Sequence, residues 1–155
     1  MEAPKQITPT KLADYLEILT KTAFEPGLNW QVIERKWPGF QAAFHGFDPE
    51  RVANLSPDEV DALTSDERIV RSRKKIEATV HNAQAMIAAE KEFGTFKRYL
   101  EGKGEFETLV KDMRKRFKFV GDFGAYYFLY VVGEPVPEQH EYRAKLLEGA
   151  QKPKG

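Results

Sequence analysis

The sequence predicts an all-α fold. Apolar residues recur at three- and four-residue spacing in several segments, and capping residues with proline mark several helix starts. Valine and isoleucine are sparse, and no segment shows the two-residue alternation of a β-strand. A chain of 155 residues can form a real hydrophobic core, since such a domain buries roughly 70% of its unfolded surface. We therefore expect one helical domain over 1–155.

The predicted helices follow one another through short loops. Thr10 is positioned to cap the first helix, and Ser56 before Pro57 marks the start of a short one with acidic residues in its first turn. The glycine-bearing loop 102–104 and the segment 133–137 each end a helix. A small helix is expected to begin at 48. Helices are also expected over about 11–24, 28–44, 57–64, 72–91, 95–100, 105–115 and 125–132.

Two of these segments have unusual patterns, and so does the C-terminal tail. The aromatic segment 28–44 has helical periodicity, but Pro38 and Gly39 fall inside it, which predicts two short helices or a kink. The segment 125–132 is too apolar for a surface helix and should run through the core. The tail from about Gly149 is rich in lysine and glycine and is expected to fray.

Composition argues against several classes of protein. There is no cysteine, so disulfides and thiolate metal sites are excluded, and with three histidines no metal or cofactor site is expected. No apolar run approaches the roughly 20 residues that cross a bilayer. The N-terminus lacks the basic and then apolar pattern of a secretory signal. We expect a cytoplasmic monomer that does not contact membranes.

Positive charge is concentrated in two places, although the formal net charge is zero. A run of charges on its own is typical of a solvated helix face, so neither run alone indicates a ligand. With no net charge to attract nucleic acid over long distances, any DNA binding must come from such local patches. The first basic run comprises Arg68, Arg71, Arg73, Lys74 and Lys75, and the second comprises Lys111, Arg114, Lys115, Arg116 and Lys118.

The second basic run leads into a glycine-bearing hairpin that opens into an aromatic helix. Gly121 and Gly124 would let the backbone turn tightly and approach a phosphate, at which the N–H groups of the next helix point. Asp122 is interpreted as a cap of that helix. The pattern predicts a contact with DNA phosphates. The predicted DNA-binding residues are Arg73, Lys74, Lys75, Lys118, Val120, Gly121, Asp122 and Gly124.

Four segments in sequence order indicate a family. They read GLNW at 27–30, FHGFDP at 44–49, IVRSRKKIEA at 69–78 with Asn-Ala following at 82–83, and FKFVG at 117–121. With these segments the chain resembles the DNA-3-methyladenine glycosylase I family of the helix-hairpin-helix glycosylase superfamily, over roughly residues 12–133. The resemblance implies an all-helical enzyme that binds duplex DNA through the hairpin, flips a damaged base and cleaves its N-glycosidic bond.

The resemblance also implies a base pocket with two departures from the family. Trp30 matches the family's pocket tryptophan and is expected to stack on the base, with core packing as the alternative. The family's base-reading glutamate corresponds to Thr22, and Glu25, about one helical turn later, is the carboxylate that could replace it. The family's Cys-, Trp- and Tyr-bearing segment has no equivalent before Lys11, and its metal ligands are missing. Tyr126 is a further pocket candidate, although core packing is favoured for it.

Further catalytic candidates follow the hairpin helix. Many superfamily members outside this family have a catalytic aspartate in that region, where this chain has Glu138, His140 and Glu141. Each could stabilise charge on the sugar or activate water, because carboxylates and imidazole do this when desolvated. The alternative is a solvated surface segment.

The sequence thus favours a metal-free DNA glycosylase that removes an alkylated purine from double-stranded DNA and, in a prokaryote, is expected to associate with the nucleoid. A non-catalytic helix-hairpin-helix protein that binds DNA or senses damage is the alternative, and Thr22 favours it. A purely structural helical domain would leave the hairpin and the two basic runs unexplained.

Overall fold

The computed structural model describes residues 5–25 and 30–151. Within these ranges the regular elements are helices and no strand occurs, which confirms the predicted all-α class. A 3₁₀ turn, His45–Phe47, separates the second and third α-helices. The α-helices are α1 (Leu12–Phe24), α2 (Trp30–Ala43), α3 (Pro49–Ala53), α4 (Pro57–Leu63), α5 (Arg73–Phe93), α6 (Phe96–Glu101), α7 (Phe106–Arg116), α8 (Asp122–Val131) and α9 (Gln139–Gln151).

Helix α1 begins at a carboxylate that satisfies free backbone N–H groups. One Asp14 oxygen accepts from the N–H of Thr10 at 2.9 Å and of Lys11 at 3.2 Å, and from the Thr10 hydroxyl at 3.2 Å. The N-cap position is Lys11, so the prediction that Thr10 caps this helix was wrong. An acidic side chain in the first turn also suits the positive end of the helix dipole.

The predicted starts of α3 and α4 are confirmed by their caps. The Ser56 hydroxyl accepts from the N–H of Glu59 at 3.1 Å, and the Glu59 carboxylate accepts from the N–H of Ser56 at 3.2 Å. At α3, the Asp48 carboxylate accepts from the N–H of Glu50 at 3.1 Å. Such local hydrogen bonds involve neighbours in sequence, which is why the sequence predicts them well.

Helix α2 continues through Pro38 and Gly39, so of the two predicted alternatives, two short helices or a kink, the first was wrong. Proline at this position removes one backbone hydrogen bond from the helix. Gly39 is required by packing, since a Cβ there would lie 2.3 Å from the backbone oxygen of Arg68. The buried Trp37 stacks on Phe40, with ring centroids 4.9 Å apart. Burial of this aromatic face stabilises a helix that its sequence would weaken.

Helices α5 and α8 form the centre of the molecule. Helix α5, the longest described helix, packs against α1, α3, α4 and α6, while α8 packs against α1 and α7. Ala125, Phe128 and Leu129 of α8 are fully buried, which confirms that this helix runs through the core. None of the helices in the described ranges is long and apolar enough to cross a membrane.

Helix α9 was not predicted. It begins where the Glu138 carboxylate accepts from the N–H of Glu141 at 2.9 Å, and it extends to Gln151, into the tail expected to fray from about Gly149. The rest of that tail, 152–155, lies outside the described residues. Glutamate is a weak cap, so its sequence signal was small.

Candidate functional site

The C-terminal end of α1 places a carboxylate beside a lysine of α5. Glu25 follows the last residue of α1 and is half-buried. The ammonium of Lys75 donates to the backbone oxygen of Phe24 at 3.3 Å and lies 5.9 Å from the centroid of the Phe24 ring. Burial raises the pKa of Glu25, and the Lys75 charge opposes this rise. Burial lowers the pKa of Lys75, and Glu25 opposes that fall.

This end of α1 carries negative charge that Lys75 partly balances. The carbonyl end of a helix carries partial negative charge, and the Glu25 carboxylate lies directly after it. Lys75 supplies the nearby positive charge that makes two half-buried ionised groups tolerable together. The first basic run therefore turns one of its lysines inward, where Lys75 holds α1 against α5.

Two of the other predicted pocket residues lie on either side of this carboxylate in sequence. Thr22 is buried, and its hydroxyl donates to the backbone oxygen of Leu19 at 2.8 Å. A hydroxyl bound to its own helix cannot supply the charge of a glutamate. Trp30 is the first residue of α2 and is half-buried. The intervening segment 26–29, which includes most of the GLNW motif, lies outside the described residues.

The second candidate region is the hairpin 117–121, between α7 and α8. The left-handed residue of this turn is Phe119, with φ of 58°, whereas Gly121 is extended, with φ of −96° and ψ of −172°. The explanation of the glycines as residues needed for a tight turn was therefore wrong for Gly121. A Cβ on Gly121 or on Gly124 would meet no atom within 4 Å. The glycines leave the surface open at the start of α8, where free N–H groups point outward.

Helix α5 holds this hairpin through two polar side chains. The buried Asn82 donates to the backbone oxygen of Lys118 at 3.0 Å and accepts from its N–H at 2.8 Å. The ring Nε2 of His81 lies 3.0 Å from the backbone oxygen of Arg116, which fixes Nε2 as the protonated nitrogen. Val120 is buried below the turn. No role was predicted for Asn82, although a polar residue on an apolar helix face was the available signal.

Asp122 does not cap α8. It is the first residue of that helix, Gly121 is the N-cap, and no side-chain cap bond is present. The Asp122 carboxylate instead accepts from the Arg114 guanidinium at 3.2 Å. Its charge is thus balanced by Arg114, which reduces the repulsion that Asp122 would exert on a phosphate.

Three of the five cations of the first basic run are occupied within the protein, and Arg71 is exposed and forms no ion pair with a described residue. The Arg73 guanidinium lies 2.5 Å from Asp61 and 3.5 Å from Glu77, and Lys75 points inward. Lys74 is exposed, and within the described ranges it makes no ion pair. Of the DNA-binding residues predicted here, Lys74 is the one whose charge stays available to a phosphate.

The second basic run is only partly neutralised. Arg116 binds the carboxylate of Asp112 at 2.6 Å and that of Glu92 at 3.2 Å, and Arg114 is paired with Asp122. Three lysines of this run are exposed and form no ion pair with any described residue. They are Lys111, Lys115 and Lys118.

The predicted residues after α8 are packed into the core or exposed to solvent. The Tyr126 hydroxyl donates to the backbone oxygen of Pro137 at 2.7 Å, so it serves packing between α8 and the segment before α9. Glu138, His140 and Glu141 are exposed at the start of α9. Backbone hydrogen bonds lower the pKa of Glu138. These three side chains lack the desolvation that a general acid or base needs, which favours the solvated reading.

The chain is similar to known proteins in both its sequence and its fold. The model of the methyladenine glycosylase family matches residues 9–114. The DNA-3-methyladenine glycosylase of Haemophilus influenzae is 28% identical over 70% of this chain and 70% of its own length. DNA-3-methyladenine glycosylase 1 of Escherichia coli is 28% identical over 76% of this chain and 74% of its own length.

Solved structures agree with these relatives. The 3-methyladenine DNA glycosylase I of Staphylococcus aureus superimposes with a TM-score of 0.75 at 27% identity, over 83% of this chain and 80% of that one. A variant of 3-methyladenine DNA glycosylase I in complex with 3-methyladenine gives a TM-score of 0.74 at 27% identity, over 83% and 81% of the two chains. The family match includes the end of α1, all of α5 and most of α7. The chain therefore belongs to the methyladenine glycosylase family.

Proposed function

We propose that this protein is a DNA glycosylase that removes an alkylated purine resembling 3-methyladenine from double-stranded DNA. The observation that carries the proposal is the family match over residues 9–114. The relatives named above as DNA-3-methyladenine glycosylases support the same substrate class. The proposed setting is the cytoplasm, and the proposed active form is a monomer, because one chain contains both the Glu25 region and the hairpin.

The chemistry of the substrate fits the end of α1. An alkylated purine is a cation, and the C-terminal end of a helix followed by Glu25 presents negative charge to it. Trp30 at the start of α2 is proposed to stack on the flipped base, since the face of an aromatic ring attracts a cation. The Glu25 carboxylate is proposed to replace the family's base-reading glutamate, whose position in this chain is occupied by Thr22.

The reaction breaks the bond between the sugar C1′ and the base nitrogen. The bonding electrons leave with the base, which becomes neutral, and the hydroxyl of a water adds to C1′ while its other proton is released. The base is already charged before cleavage, so it needs little help from a general acid. The proposed roles of Glu25 are to stabilise positive charge on the sugar and to accept the proton of the water.

Two features support duplex DNA as the partner at the hairpin. The start of α8 exposes free N–H groups beside Gly121, where no side chain obstructs a phosphate. Lys115, near the end of α7, and Lys118, in the hairpin, are exposed and carry no ion pair with a described residue. The proposed contact is with the backbone and is therefore independent of sequence.

A non-catalytic DNA-binding protein is the second candidate, and the observation that favours it is Thr22. A buried threonine whose hydroxyl donates to Leu19 cannot read or polarise a base as a carboxylate does. On this alternative, the hairpin is retained and base release is lost.

Release of free base from alkylated duplex DNA decides between the two candidates. Wild type should release base at low salt, and Glu25→Gln should lower the rate by about 100-fold, the scale of general acid–base catalysis. Trp30→Ala should also slow release, while neither variant should weaken binding to undamaged duplex. Glu50→Gln, on the exposed surface of α3, is the matched control and should behave as wild type.

Different results point to different conclusions. No release by wild type, with duplex binding retained, would establish the binding protein. Release that is lost in Glu138→Gln and kept in Glu25→Gln would transfer the catalytic role to the start of α9.

A further inference from the structure

Helix α9 lies beyond the family match, which ends at residue 114, and it braces the hairpin from outside. The Tyr142 hydroxyl donates to the backbone oxygen of Asp122 at 3.3 Å. The Tyr142 ring stacks on Tyr126, with centroids 5.0 Å apart. Lys145 forms an ion pair with Glu107 of α7. These contacts tie α9 to both helices that flank the hairpin, so its neighbouring side chains lie at the proposed DNA surface.

Arg143 of α9 lies over an exposed aromatic ring at the start of α8. Its guanidinium carbon is 5.7 Å from the centroid of the Phe123 ring, and Phe123 is 45% exposed. Phe123 is the second residue of α8, two positions after Gly121. A guanidinium held on a ring keeps its N–H donors free at its edge, and their planar arrangement suits a phosphate.

Arg143 differs from the arginines of α7 in what balances its charge. Arg114 is paired with Asp122, and Arg116 is paired with Asp112 and Glu92. Arg143 is exposed and forms no ion pair with any residue in the described part of the chain. Its charge is therefore available to a partner, and its ring contact limits where it can point.

We propose that Arg143, held on Phe123, makes a second contact with the DNA backbone beside the hairpin. The inference rests on duplex binding in the proposed function and not on catalysis. It assigns α9 a role as an added part of the interface. An anionic backbone is the occupant that fits, because free N–H groups, Lys118 and Arg143 all present positive potential at this end.

The test is the salt dependence of binding to undamaged duplex DNA. Each lost phosphate contact lowers the slope of log affinity against log salt by about 0.9. Arg143→Gln should show this change. When salt is raised from about 50 to 200 mM, the factor by which its affinity falls should be roughly threefold smaller than the factor for wild type. Arg143→Lys keeps the charge and should keep the wild-type slope.

The matched control is Arg51→Gln on α3. Helix α3 contacts α5 through Gln84, whose amide donates to the backbone oxygen of Ala53, whereas the hairpin contacts α5 through Asn82. Gln84 and Asn82 are two positions apart on α5, so their side chains point about 200° apart around the helix. Helix α3, which carries Arg51, therefore lies on a different side of α5 from the hairpin. Loss of Arg51 should leave the slope unchanged, and thermal unfolding should show that all three variants remain folded.

The outcomes separate this inference from the proposed function. A wild-type slope in Arg143→Gln overturns the inference, whether or not the protein releases bases. A reduced slope together with no base release by wild type leaves the inference standing and overturns the glycosylase proposal.

Discussion

The two basic runs have similar composition but different surroundings. In the first run, Arg73 is paired with Asp61 and Glu77 and Lys75 is turned inward toward Glu25, while Arg71 and Lys74 are exposed and form no ion pair with a described residue. In the second run, exposed lysines such as Lys118 form no ion pair with a described residue, and the run leads into an open hairpin. The difference shows that a cluster of positive residues does not by itself define a DNA surface. What matters is which carboxylates the fold brings to each cation.

The strongest test of this difference is Gly121→Val, which should abolish most DNA binding. The backbone at Gly121 is extended and a Cβ would meet nothing, so valine should fold there without strain. A bulky side chain would keep a phosphate away from the free N–H groups. Loss of a charge-assisted hydrogen bond of about 1.5–3 kcal/mol corresponds to a roughly 10- to 100-fold weaker Kd.

Fluorescence anisotropy with a labelled duplex measures this effect. An unchanged melting temperature is the control for folding. Normal binding by Gly121→Val would show that DNA does not approach the start of α8, and the comparison between the two runs would lose its functional meaning.

The next largest effect is expected from Asn82→Ala, which removes the side chain that holds the hairpin. Two hydrogen bonds to the backbone of Lys118 are lost, and the free energy of unfolding should fall by about 2 kcal/mol. Gln84→Ala removes one exposed hydrogen bond on the same helix and should change stability by less than about 0.5 kcal/mol. Urea unfolding of both variants checks the difference, and equal effects would argue against a hairpin held by α5.

The fold was predicted well wherever its signals are local. The capping box of Ser56 and Glu59 involves residues three apart, and the structure contains it. Helix α2 was harder, because burial of its aromatic face stabilises it through Pro38, and that burial depends on tertiary contacts such as the stacking of Trp37 on Phe47. Helix α9, which starts directly after Glu138, was missed because its cap is weak and its stabilising contacts with α8 are tertiary.

The sequence predicted which residues belong to the candidate site better than it predicted how those residues are arranged. The sequence indicated the hairpin and Glu25, but it could not show that Lys75 faces Glu25 or that Arg114 neutralises Asp122. It also assigned the left-handed turn to glycine, whereas Phe119 adopts it. Each of these features depends on contacts between helices, which residue spacing does not encode.

A smaller effect is expected when an unpaired lysine and a paired arginine are compared by the salt dependence of duplex binding. Lys118→Gln should lower the salt slope of duplex binding by about 0.9, since one phosphate contact is lost. Arg73→Gln should change the slope much less, because its charge is already balanced by Asp61 and Glu77. Titrations at several salt concentrations measure both slopes. Equal changes in the two variants would mean that internal ion pairs do not determine which cations bind DNA.

The smallest effect concerns the inward-facing lysine of the first run and its partner. Burial raises the pKa of Glu25 despite the Lys75 charge, so in the folded state Glu25 holds its proton at a higher pH than in the unfolded state. Stability should therefore fall as pH rises from the ordinary pKa of glutamate through the raised value. Glu25→Gln cannot titrate, so it should be more stable than wild type at neutral pH.

The gain from Glu25→Gln should disappear below the ordinary pKa of glutamate, where the wild-type carboxyl is protonated in both states. Urea unfolding of the two proteins across the acid-to-neutral range measures this. A variant that is less stable than wild type at neutral pH would show that attraction to Lys75 outweighs burial. Glu25 would then be a structural ion-pair partner. A gain in stability on losing the charge is what a carboxylate kept for binding a cationic base predicts, because a functional group held in an unfavourable environment costs stability.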